Sequence, residues 1–281
     1  MRGMQQRIAY LGPAGSYSEQ AAWDWNPHAE LVPVESIPAV SGAVVTGLAD
    51  VGIVPIENSI EGGVTFTLDL LIHDSDLSIC GEVIVPIHHC LMAQENIETD
   101  SIQTVLSHPQ SLAQCREFLG QRLPNAEIIA SLSNSRAVEE MMQSAPTTAA
   151  ISSGRAAQLY QATILIKNVE DRSNNETRFV VLSNEDCERT GRDKTSVCFE
   201  YGGDAPGILS ESLREFASRN INLVKIESRP NKRNLGRYVF FVDVEGHRND
   251  ASVSSALEAL QAQTAMMKVL GSYSIKFREG E

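Results

Sequence analysis

The first 183 residues alternate between short apolar runs and segments with apolar residues at helical spacing. Residues 7–11 and 51–55 predict buried strands, and Val40, Val44 and Leu48 mark a helix between strands. The same alternation begins again with a predicted strand at residues 104–106. Strands separated by helices favour parallel sheets, so the pattern predicts two α/β halves.

The connection between these halves is also visible in the apolar pattern. Residues 79–93 form a long apolar stretch interrupted by Pro86, which predicts a strand that leaves one sheet and a strand that enters another. A return strand is predicted at residues 163–169. Two halves joined by two crossings imply a cleft between them, and a cleft of that kind is the expected ligand site.

The tail follows a different pattern. Residues 185–194 are charged and lack periodicity, which indicates a linker. The strands and helices predicted beyond it follow the order βαββαβ, which is the ferredoxin-like split motif. Its edge strands and open sheet face lead us to expect pairing between copies of the chain.

Composition narrows the class of protein. The chain has 281 residues, enough for two domains, and its net charge of −13 argues against a nucleic-acid or anionic-membrane partner. Its five cysteines lack a CxxC spacing and no secretory segment precedes the first strand, so we expect a reducing cytoplasm. No apolar run approaches the length of about 18 residues that a membrane span requires.

Candidate chemistry lies where predicted strands end. Ser16, with Glu19 three residues later, matches a helix capping box, and the free amides of such a helix start attract carboxylates. The alternative is a well-capped helix without a ligand. Residues 56–64 are polar and carry paired glycines after a strand, which fits a ligand loop or a simple glycine-rich turn.

Two further segments carry side chains with candidate chemistry. His88, His89 and Cys90 are adjacent, but neighbouring strand residues point to opposite faces, so a metal site there is disfavoured. Thr177 and Arg178 stand at the start of an apolar strand at residues 179–182, where a β-branched residue is also favoured by propensity alone.

The motifs themselves are similar to those of a known family. The stretches GPAGSYSEQAA (12–22), PIENSIEGGV (55–64), SHPQSLAQC (107–115) and NNETRFVVL (174–182) resemble the prephenate dehydratase family. The tail motifs PGIL (206–209) and ESRP (227–230) resemble the ACT regulatory domain of the same enzymes. The motifs occur in the family's order over nearly the whole chain.

The resemblance implies a fold and domain limits. The fold is α/β, with a two-lobed, periplasmic-binding-protein-like catalytic domain around a central cleft, followed by a ferredoxin-like βαββαβ ACT domain. The catalytic domain is expected at residues 1–190, with lobe 1 at about 1–81 plus 165–185 and lobe 2 at about 82–164. The ACT domain is expected at residues 195–281. Because the first strand starts at residue 7, no chorismate mutase module is expected ahead of it.

The resemblance also implies a reaction, in which prephenate loses carbon dioxide and its ring hydroxyl to give phenylpyruvate. This is a carbon–oxygen lyase activity that needs no cofactor or metal. Thr177 is the expected catalytic residue, and the motifs add Asn58, Ser107 and Gln114. Expected substrate-binding residues are Gly15, Ser16, Tyr17, Glu57, Ser59, Gly62, His108, Arg178 and Phe179. His108 has a competing role as an acid or base.

The tail implies feedback by L-phenylalanine, bound between paired modules of a homodimer or homotetramer. The expected effector residues are Gly207, Ile208, Leu209, Asn222, Leu223, Glu227, Ser228 and Arg229. Ile208 departs from the alanine usual in the family, which puts the shape of the effector pocket in question.

Two other functions remain open at this point. One is arogenate dehydratase, whose substrate carries an amine in place of the ketone. The other is a non-catalytic solute-binding or amino-acid-sensing protein, since paired lobes with a hinge also describe that class. The presence of Thr177 together with Asn58 and Gln114 argues against the second.

Overall fold

The computed structural model describes residues 5–275, and its first part has the predicted strand–helix alternation. Its elements are β1 (Arg7–Leu11), α1 (Tyr17–Trp25), β2 (Glu30–Val34), α2 (Ile37–Val45), β3 (Val51–Asn58), β4 (Gly62–Gly63), α3 (Thr65–Asp69), a π-helical turn (Leu70–Asp74) and β5 (Ser78–Pro86). Serines cap the first two long helices, and the cap at Ser16 was predicted. The Oγ atoms of Ser16 and Ser36 accept hydrogen bonds of 3.3 Å from backbone amides three residues further on.

A second α/β unit follows. Its elements are β6 (Cys90–Ala93), a 3₁₀ turn (Thr99–Ser101), β7 (Thr104–Ser107), α4 (Pro109–Gln114), α5 (Arg116–Arg122), β8 (Glu127–Ala130), α6 (Asn134–Met142), β9 (Thr148–Ser152), α7 (Gly154–Tyr160) and β10 (Thr163–Lys167). They form a five-stranded sheet in the order β10-β6-β9-β7-β8. The α helices of this unit pack against it and bury Val138, Met141 and Ala156.

The chain then returns to the first sheet through β11 (Glu176–Ser183), giving the order β2-β1-β3-β11-β5 with β4 beside β3. The chain leaves this sheet after Pro86 and re-enters it at Glu176, so both crossings lie beyond the predicted lobe limits. The return strand predicted at residues 163–169 is instead β10 of the second sheet, and β11 is the strand that returns. The two-lobed α/β architecture is confirmed. Because both crossings join the same two sheets, they place a cleft between the lobes.

The tail forms a third sheet, as predicted. Its elements are β12 (Asp193–Glu200), α8 (Ile208–Ala217), β13 (Leu223–Pro230), β14 (Tyr238–Glu245), α9 (Ala251–Gln263) and β15 (Met266–Ser274). The antiparallel order β13-β14-β12-β15 is that of a ferredoxin-like domain, which confirms the predicted fold class. The outer limits predicted at residues 1 and 281 lie outside the described residues. Among residues 5–275, no helix combines the length and apolar character needed to cross a bilayer.

The third sheet packs directly on the first. Phe241, Leu270 and Tyr273 from the third sheet belong to one buried cluster with Leu71 and Ile79 from the first lobe. A Cβ atom at Gly271 would collide with the Ile79 backbone, so the strands approach each other as closely as a glycine permits. The sheet face that was expected to await a second copy is therefore covered within the chain. In the described sheet order, the strands β13 and β15 lie at the edges and are left for such pairing.

Candidate active site

Thr177 and Asn58 face each other on neighbouring antiparallel strands. They are register partners in β11 and β3, which brings the Asn58 amide beside the threonine hydroxyl. Asn58 Nδ2 donates a hydrogen bond of 2.9 Å to Thr177 Oγ1. Thr177 is only 9% exposed, so the protein covers most of its surface.

The backbone fixes the orientation of the Asn58 amide. Asn58 Oδ1 accepts hydrogen bonds from the backbone amides of Ile60 at 3.0 Å and Glu61 at 3.1 Å. The NH₂ group must then point the other way, towards Thr177. Thr177 Oγ1 accepts from Asn58, so its own proton remains for another acceptor. The Asn58 amide therefore fixes the Thr177 hydroxyl as a hydrogen-bond donor to other groups.

Gln114 joins this pair from the opposite lobe. Asn175 is 2% exposed, and its Oδ1 accepts a hydrogen bond of 2.8 Å from Asn58 Nδ2. Asn175 Nδ2 in turn donates to Gln114 Oε1 at 3.2 Å. The structure thus brings together three of the four predicted catalytic residues, Thr177, Asn58 and Gln114. Asn175 lay within a recognised motif but was not singled out from the sequence.

Ser107 is the fourth predicted catalytic residue, and the structure places it elsewhere. Its side chain is fully buried, and its hydroxyl donates a hydrogen bond of 2.6 Å to the Ile151 carbonyl in β9. Its single proton is therefore used within the second sheet. Ser107 holds the start of the α4 segment, where the Asn134 side chain lies 3.2 Å from its Oγ and also accepts from the His108 amide.

A second part of the cleft is built from helix starts. The N-terminal ends of α1, α4 and α6 line one cavity, which includes the predicted residues Gly15, Ser16, Tyr17 and His108. His108 caps α4, its Nδ1 accepting from the Gln110 amide at 3.3 Å. The residues lining this cavity include no aspartate or glutamate. Helix N-termini carry partial positive charge, so the cavity suits an anion.

Gln110 connects the two parts of the cleft. It lines the helix-start cavity and also a neighbouring cavity that contains Gln114, Asn175 and Glu61. The neighbouring cavity is therefore continuous with the amide network around Thr177. It also contains Arg172, on the second crossing between the lobes.

Contacts across the cleft hold the two lobes together on the α1 side. The Ser153 hydroxyl donates to the Gly15 carbonyl at 2.7 Å, and the Ser135 hydroxyl donates to the Ala14 carbonyl. Glu19 completes this contact with an ion pair of 2.7 Å to Arg155 of the second lobe. The predicted capping box is thus only half formed, because the Glu19 carboxylate binds Arg155 and the Gly15 amide.

Arg178 is not brought to the proposed substrate. Neighbouring strand residues point to opposite faces, and the Arg178 guanidinium lies against the third sheet, away from the Thr177 hydroxyl. Its Nη1 lies 2.8 Å from Asp243 Oδ2 and 3.5 Å from Glu82 Oε2. Burial lowers the pKa of Arg178, but the carboxylates of Asp243 and Glu82 outweigh burial and hold that pKa above its usual range. This geometry corrects the expectation that Arg178 is a substrate-binding residue.

Glu57 and Phe179 were also expected at the substrate, and neither lies in the cleft. Glu57 binds Arg178 at 3.3 Å and Lys225 of the third sheet at 2.8 Å, so its carboxylate is already paired. Phe179 is 2% exposed and packs in the core of the first lobe with Tyr10. The sequence motif therefore combines residues of the cleft with residues of the domain interface.

Ser59 and Gly62 shape the loop after β3. The Ser59 amide donates to the Glu176 carbonyl at 2.9 Å, and its hydroxyl accepts from the Glu176 amide at 3.0 Å. Gly62 has a φ of +82°, which a residue with a side chain would adopt only under strain. Both residues hold the loop whose amides orient Asn58.

The predicted effector residues fall into two groups. Gly207, Ile208 and Leu209 line a cavity of about 460 Å³ on the third domain. Asp204 and Arg237, which the sequence did not single out, lie in the same cavity together with three aromatic residues, Tyr201, Tyr238 and Phe240. An apolar pocket with one charge of each sign suits a zwitterion with an apolar side chain.

The other predicted effector residues lie on or beside β13. Arg229 lies 3.5 Å from Asp69, and Glu227 binds Lys225 at 3.1 Å next to Gly63 of the first lobe. Asn222 donates to Glu245 at 3.1 Å. Leu223 packs beneath the helices of the third domain, and the Ser228 backbone pairs with β14. The ESRP segment thus contacts the catalytic lobe of its own chain.

The comparisons with known proteins agree over both parts of the chain. The family model described as prephenate dehydratase matches residues 8–187, and the model described as ACT domain matches residues 201–262. A bifunctional chorismate mutase/prephenate dehydratase of Aquifex aeolicus is 42% identical over 269 residues, covering 95% of this chain and 73% of that protein. Arogenate dehydratase 5 of Arabidopsis thaliana is 38% identical over 291 residues, covering 96% of this chain and 68% of that protein.

Solved structures give the same likeness. The prephenate dehydratase of Arthrobacter aurescens in complex with L-Phe is 36% identical, with a TM-score of 0.88. The match covers 96% of this chain and 90% of that one.

Proposed function

Because the chain belongs to the prephenate dehydratase family, we propose that its cleft converts prephenate to phenylpyruvate, with carbon dioxide and water as the other products. Membership of an enzyme family favours this lyase activity over the alternative of a solute-binding protein. The observation that carries the proposal is the hydrogen bond of 2.9 Å from Asn58 to Thr177, which does not use the threonine proton.

The chemistry requires little beyond placement and one proton donor. The bond from the ring to its carboxylate breaks, and its electron pair enters the ring as carbon dioxide departs. That pair moves through the ring and expels the hydroxyl oxygen with the electrons of its own bond, and the departing hydroxide takes one proton, supplied in the end by the solvent, to become water. Aromatisation drives the reaction, so the protein has to stabilise the charge that develops on the departing oxygen.

Thr177 is suited to this task as a hydrogen-bond donor. A threonine hydroxyl is a weak acid, but it can donate to the leaving oxygen while negative charge accumulates there. One of its lone pairs accepts from Asn58, so its proton remains for another acceptor. Gln114 and Asn175 hold Asn58 in this orientation from both sides of the cleft. We infer that these four side chains form the centre of the reaction site.

The helix-start cavity is the proposed anion subsite. Prephenate carries two carboxylates, and the amides at Ser16 and Tyr17 together with the His108 segment are the candidate hydrogen-bond donors, because no aspartate or glutamate lines the cavity. The Gly15 amide is already bound by Glu19 and is left out of this set. In this proposal, backbone amides and not the Arg178 guanidinium bind the substrate carboxylate. Hydrogen bonds from backbone amides bind a carboxylate less tightly than an ion pair does. Weaker binding suits the ring carboxylate, because it loses its charge when it leaves as carbon dioxide.

A wild-type assay tests the proposed function. Prephenate and arogenate are supplied side by side at equal concentrations, and formation of phenylpyruvate or phenylalanine is followed separately. We expect phenylpyruvate formation from prephenate with a higher kcat/KM than for arogenate. Turnover of neither substrate would overturn the proposal, and a higher kcat/KM for arogenate would assign the chain to the related arogenate activity.

We infer that the cavity of the third domain binds L-phenylalanine. Arg237 and Asp204 can pair with the carboxylate and ammonium of a free amino acid, while Tyr201, Ile208 and Phe240 surround its ring. The Phe-bound relative of similar fold supports this ligand.

The proposed catalytic and ACT domains occupy residues 1–190 and 195–281.

The proposed feedback acts through the interface between the domains. Arg178 stands next to Thr177 in β11 and binds Asp243 in β14. A shift of the third sheet caused by the effector would therefore bear directly on the strand that carries Thr177. A coupling of about 1 to 3 kcal/mol is typical of such regulation.

The proposed assembly is a homodimer or homotetramer. The edge strand β13 has no neighbour on its outer side in the described sheet order, and its Val224 and Ile226 are nearly half exposed. A pairing of two such edges would complete the apolar surface. The proposed location is the cytoplasm, which is supported by five free cysteines.

A further inference from the structure

His89 lies where the two lobes are joined. Its side chain is 1% exposed, in the short segment between β5 and β6. Its backbone amide donates a hydrogen bond of 2.8 Å to Glu170, and its carbonyl accepts one of 2.9 Å from Val169. Val169 and Glu170 belong to the other crossing, so His89 fastens the two crossings to each other.

The imidazole of His89 contacts one helix from each lobe. Its Nδ1 lies 3.1 Å from the Tyr17 hydroxyl of α1, and its Nε2 lies 2.9 Å from Gln114 Oε1 of α4. The Tyr17 and His89 rings meet edge to face with centroids 5.9 Å apart. Both ring nitrogens are therefore engaged, although nothing in the proposed reaction so far uses this residue.

The direction of each hydrogen bond around His89 follows from the backbone. Two amides at Ile60 and Glu61 orient Asn58, whose NH₂ group donates to Asn175 Oδ1. Asn175 must then present its own NH₂ group to Gln114 Oε1. An amide oxygen can accept two hydrogen bonds, and the second donor to Gln114 Oε1 is His89 Nε2. The proton of the ring is thereby assigned to Nε2.

The other ring nitrogen then has to accept. With the proton on Nε2, Nδ1 carries a lone pair that faces the Tyr17 hydroxyl at 3.1 Å. That hydroxyl also donates to the His88 carbonyl at 2.7 Å, so the two acceptors share its one proton. Burial, with a smaller contribution from His88, lowers the pKa of His89 against the raising effects of Gln114 and Glu170, which favours the neutral ring that this pattern requires.

We propose that His89 is a positioning residue for the dehydration: its Nε2–H orients Gln114, and through Asn175 and Asn58 it orients the Thr177 hydroxyl. His89 touches no reacting atom in this scheme. It sets the direction of a chain of side-chain dipoles that ends at the proton donor. The inference rests on the proposed role of Thr177.

The most direct test reads the tautomer in the wild-type enzyme. Protein labelled with ¹⁵N in histidine is studied by long-range ¹⁵N–¹H correlation near neutral pH, and the His89 signals are assigned with His89→Gln. We expect a protonated Nε2 and an unprotonated Nδ1. A proton on Nδ1 alone would reverse the direction of the chain and overturn the inference, without any bearing on whether the enzyme dehydrates prephenate.

Two substitutions separate positioning from packing. A glutamine at 89 can place an NH₂ group near the Nε2 position, whereas an asparagine reaches only as far as Nδ1. We expect kcat to fall about 10- to 100-fold in His89→Asn with KM nearly unchanged, because the donor is misplaced. His89→Gln should recover a large part of kcat. An equal kcat loss in both variants, or an effect on KM alone, would contradict the positioning role.

A matched control and a double variant complete the design. His88→Asn makes the same change one residue earlier, where the ring is 46% exposed and pairs with Glu170, and kcat should stay near wild type. In a Thr177→Ala background, His89→Asn should cost little further activity, because both act on the same hydroxyl. Fully additive losses would overturn the inference, while normal turnover of Thr177→Ala would instead overturn the proposed function.

Discussion

Arg178 Nη1 lies 2.8 Å from Asp243 Oδ2, and this ion pair joins the strand of Thr177 to the sheet of the regulatory domain. Asp243 is fully buried, and the Arg178 side chain is 12% exposed. A second pair, Lys194 with Glu82 at 2.9 Å, crosses the same interface. The residue after the proposed proton donor thus belongs to the interface, which gives the regulatory domain a short mechanical path to the reaction site.

Replacement of Arg178 by glutamine should weaken both stability and feedback. The substitution leaves the Asp243 carboxylate buried without its cation, which typically costs about 3 to 5 kcal/mol. We expect a lower free energy of unfolding in urea, and inhibition by phenylalanine should become weaker. Urea unfolding and initial rates with and without phenylalanine measure the two effects.

Arg136 provides the matched control for this prediction. It forms two ion pairs within α6, to Glu139 and Glu140, with half of its side chain exposed. Arg136→Gln should leave both the urea midpoint and the inhibition by phenylalanine unchanged, since exposed ion pairs contribute little. Equal effects of the two substitutions would show that the loss of an arginine charge, and not its place in the interface, is responsible.

The effector cavity predicts a second, separable effect. Arg237→Ala should weaken phenylalanine binding about 10- to 100-fold, which is the usual loss for a charged hydrogen bond. The uninhibited kcat should hold near its wild-type value because the cavity lies on the third domain. Isothermal titration calorimetry measures the affinity. Arg233→Ala, an exposed arginine on the same loop, is the control, and its titration should match wild type.

Much of the fold was predictable because local signals agreed with the global arrangement. Ser16 starts a helix where its position indicated, and Pro86 ends the strand that leaves the first sheet. The ferredoxin-like order of the tail followed from alternation and helical spacing. The packing of the third sheet on the first could not be predicted, because both faces read simply as apolar.

The motifs predicted correctly which residues meet at the site. They were misleading where neighbouring residues of one motif lie on opposite faces of a strand. Thr177, Asn58 and Gln114 meet as expected. Strand alternation already implies that Arg178 points away from Thr177, but only the structure reveals that the opposite face is an interface rich in carboxylates. The sequence did not indicate a role for His89. Two adjacent histidines suggest a metal site, and strand alternation disfavours one here because neighbouring side chains point to opposite faces.

The buried His89 predicts how stability depends on pH. Its folded pKa lies below the unfolded value because burial disfavours the cation, so the unfolded chain binds more protons as the pH falls. The stability contributed by His89 is therefore complete above about pH 6.5 and is lost as the pH falls towards the folded pKa. This contribution is measured by thermal unfolding over about pH 5 to 8, the range in which histidines titrate.

Histidine variants isolate that contribution. His89→Gln should flatten the decline in Tm below about pH 6.5 relative to wild type, since the titrating group is gone. His88→Asn makes the same kind of change one residue earlier and serves as the control, which should keep the wild-type decline. An identical decline in wild type and His89→Gln would mean that another group is responsible.

Thr177 carries the central claim, and steady-state kinetics of its two smallest substitutions measures it. With prephenate as substrate, Thr177→Ala should lower kcat by about 10² to 10⁴, the usual contribution of a positioned proton donor, with a smaller change in KM. Thr177→Ser keeps the hydroxyl and should recover much of kcat. Wild-type kcat in the alanine variant would contradict the assignment of Thr177 as the donor to the departing hydroxyl.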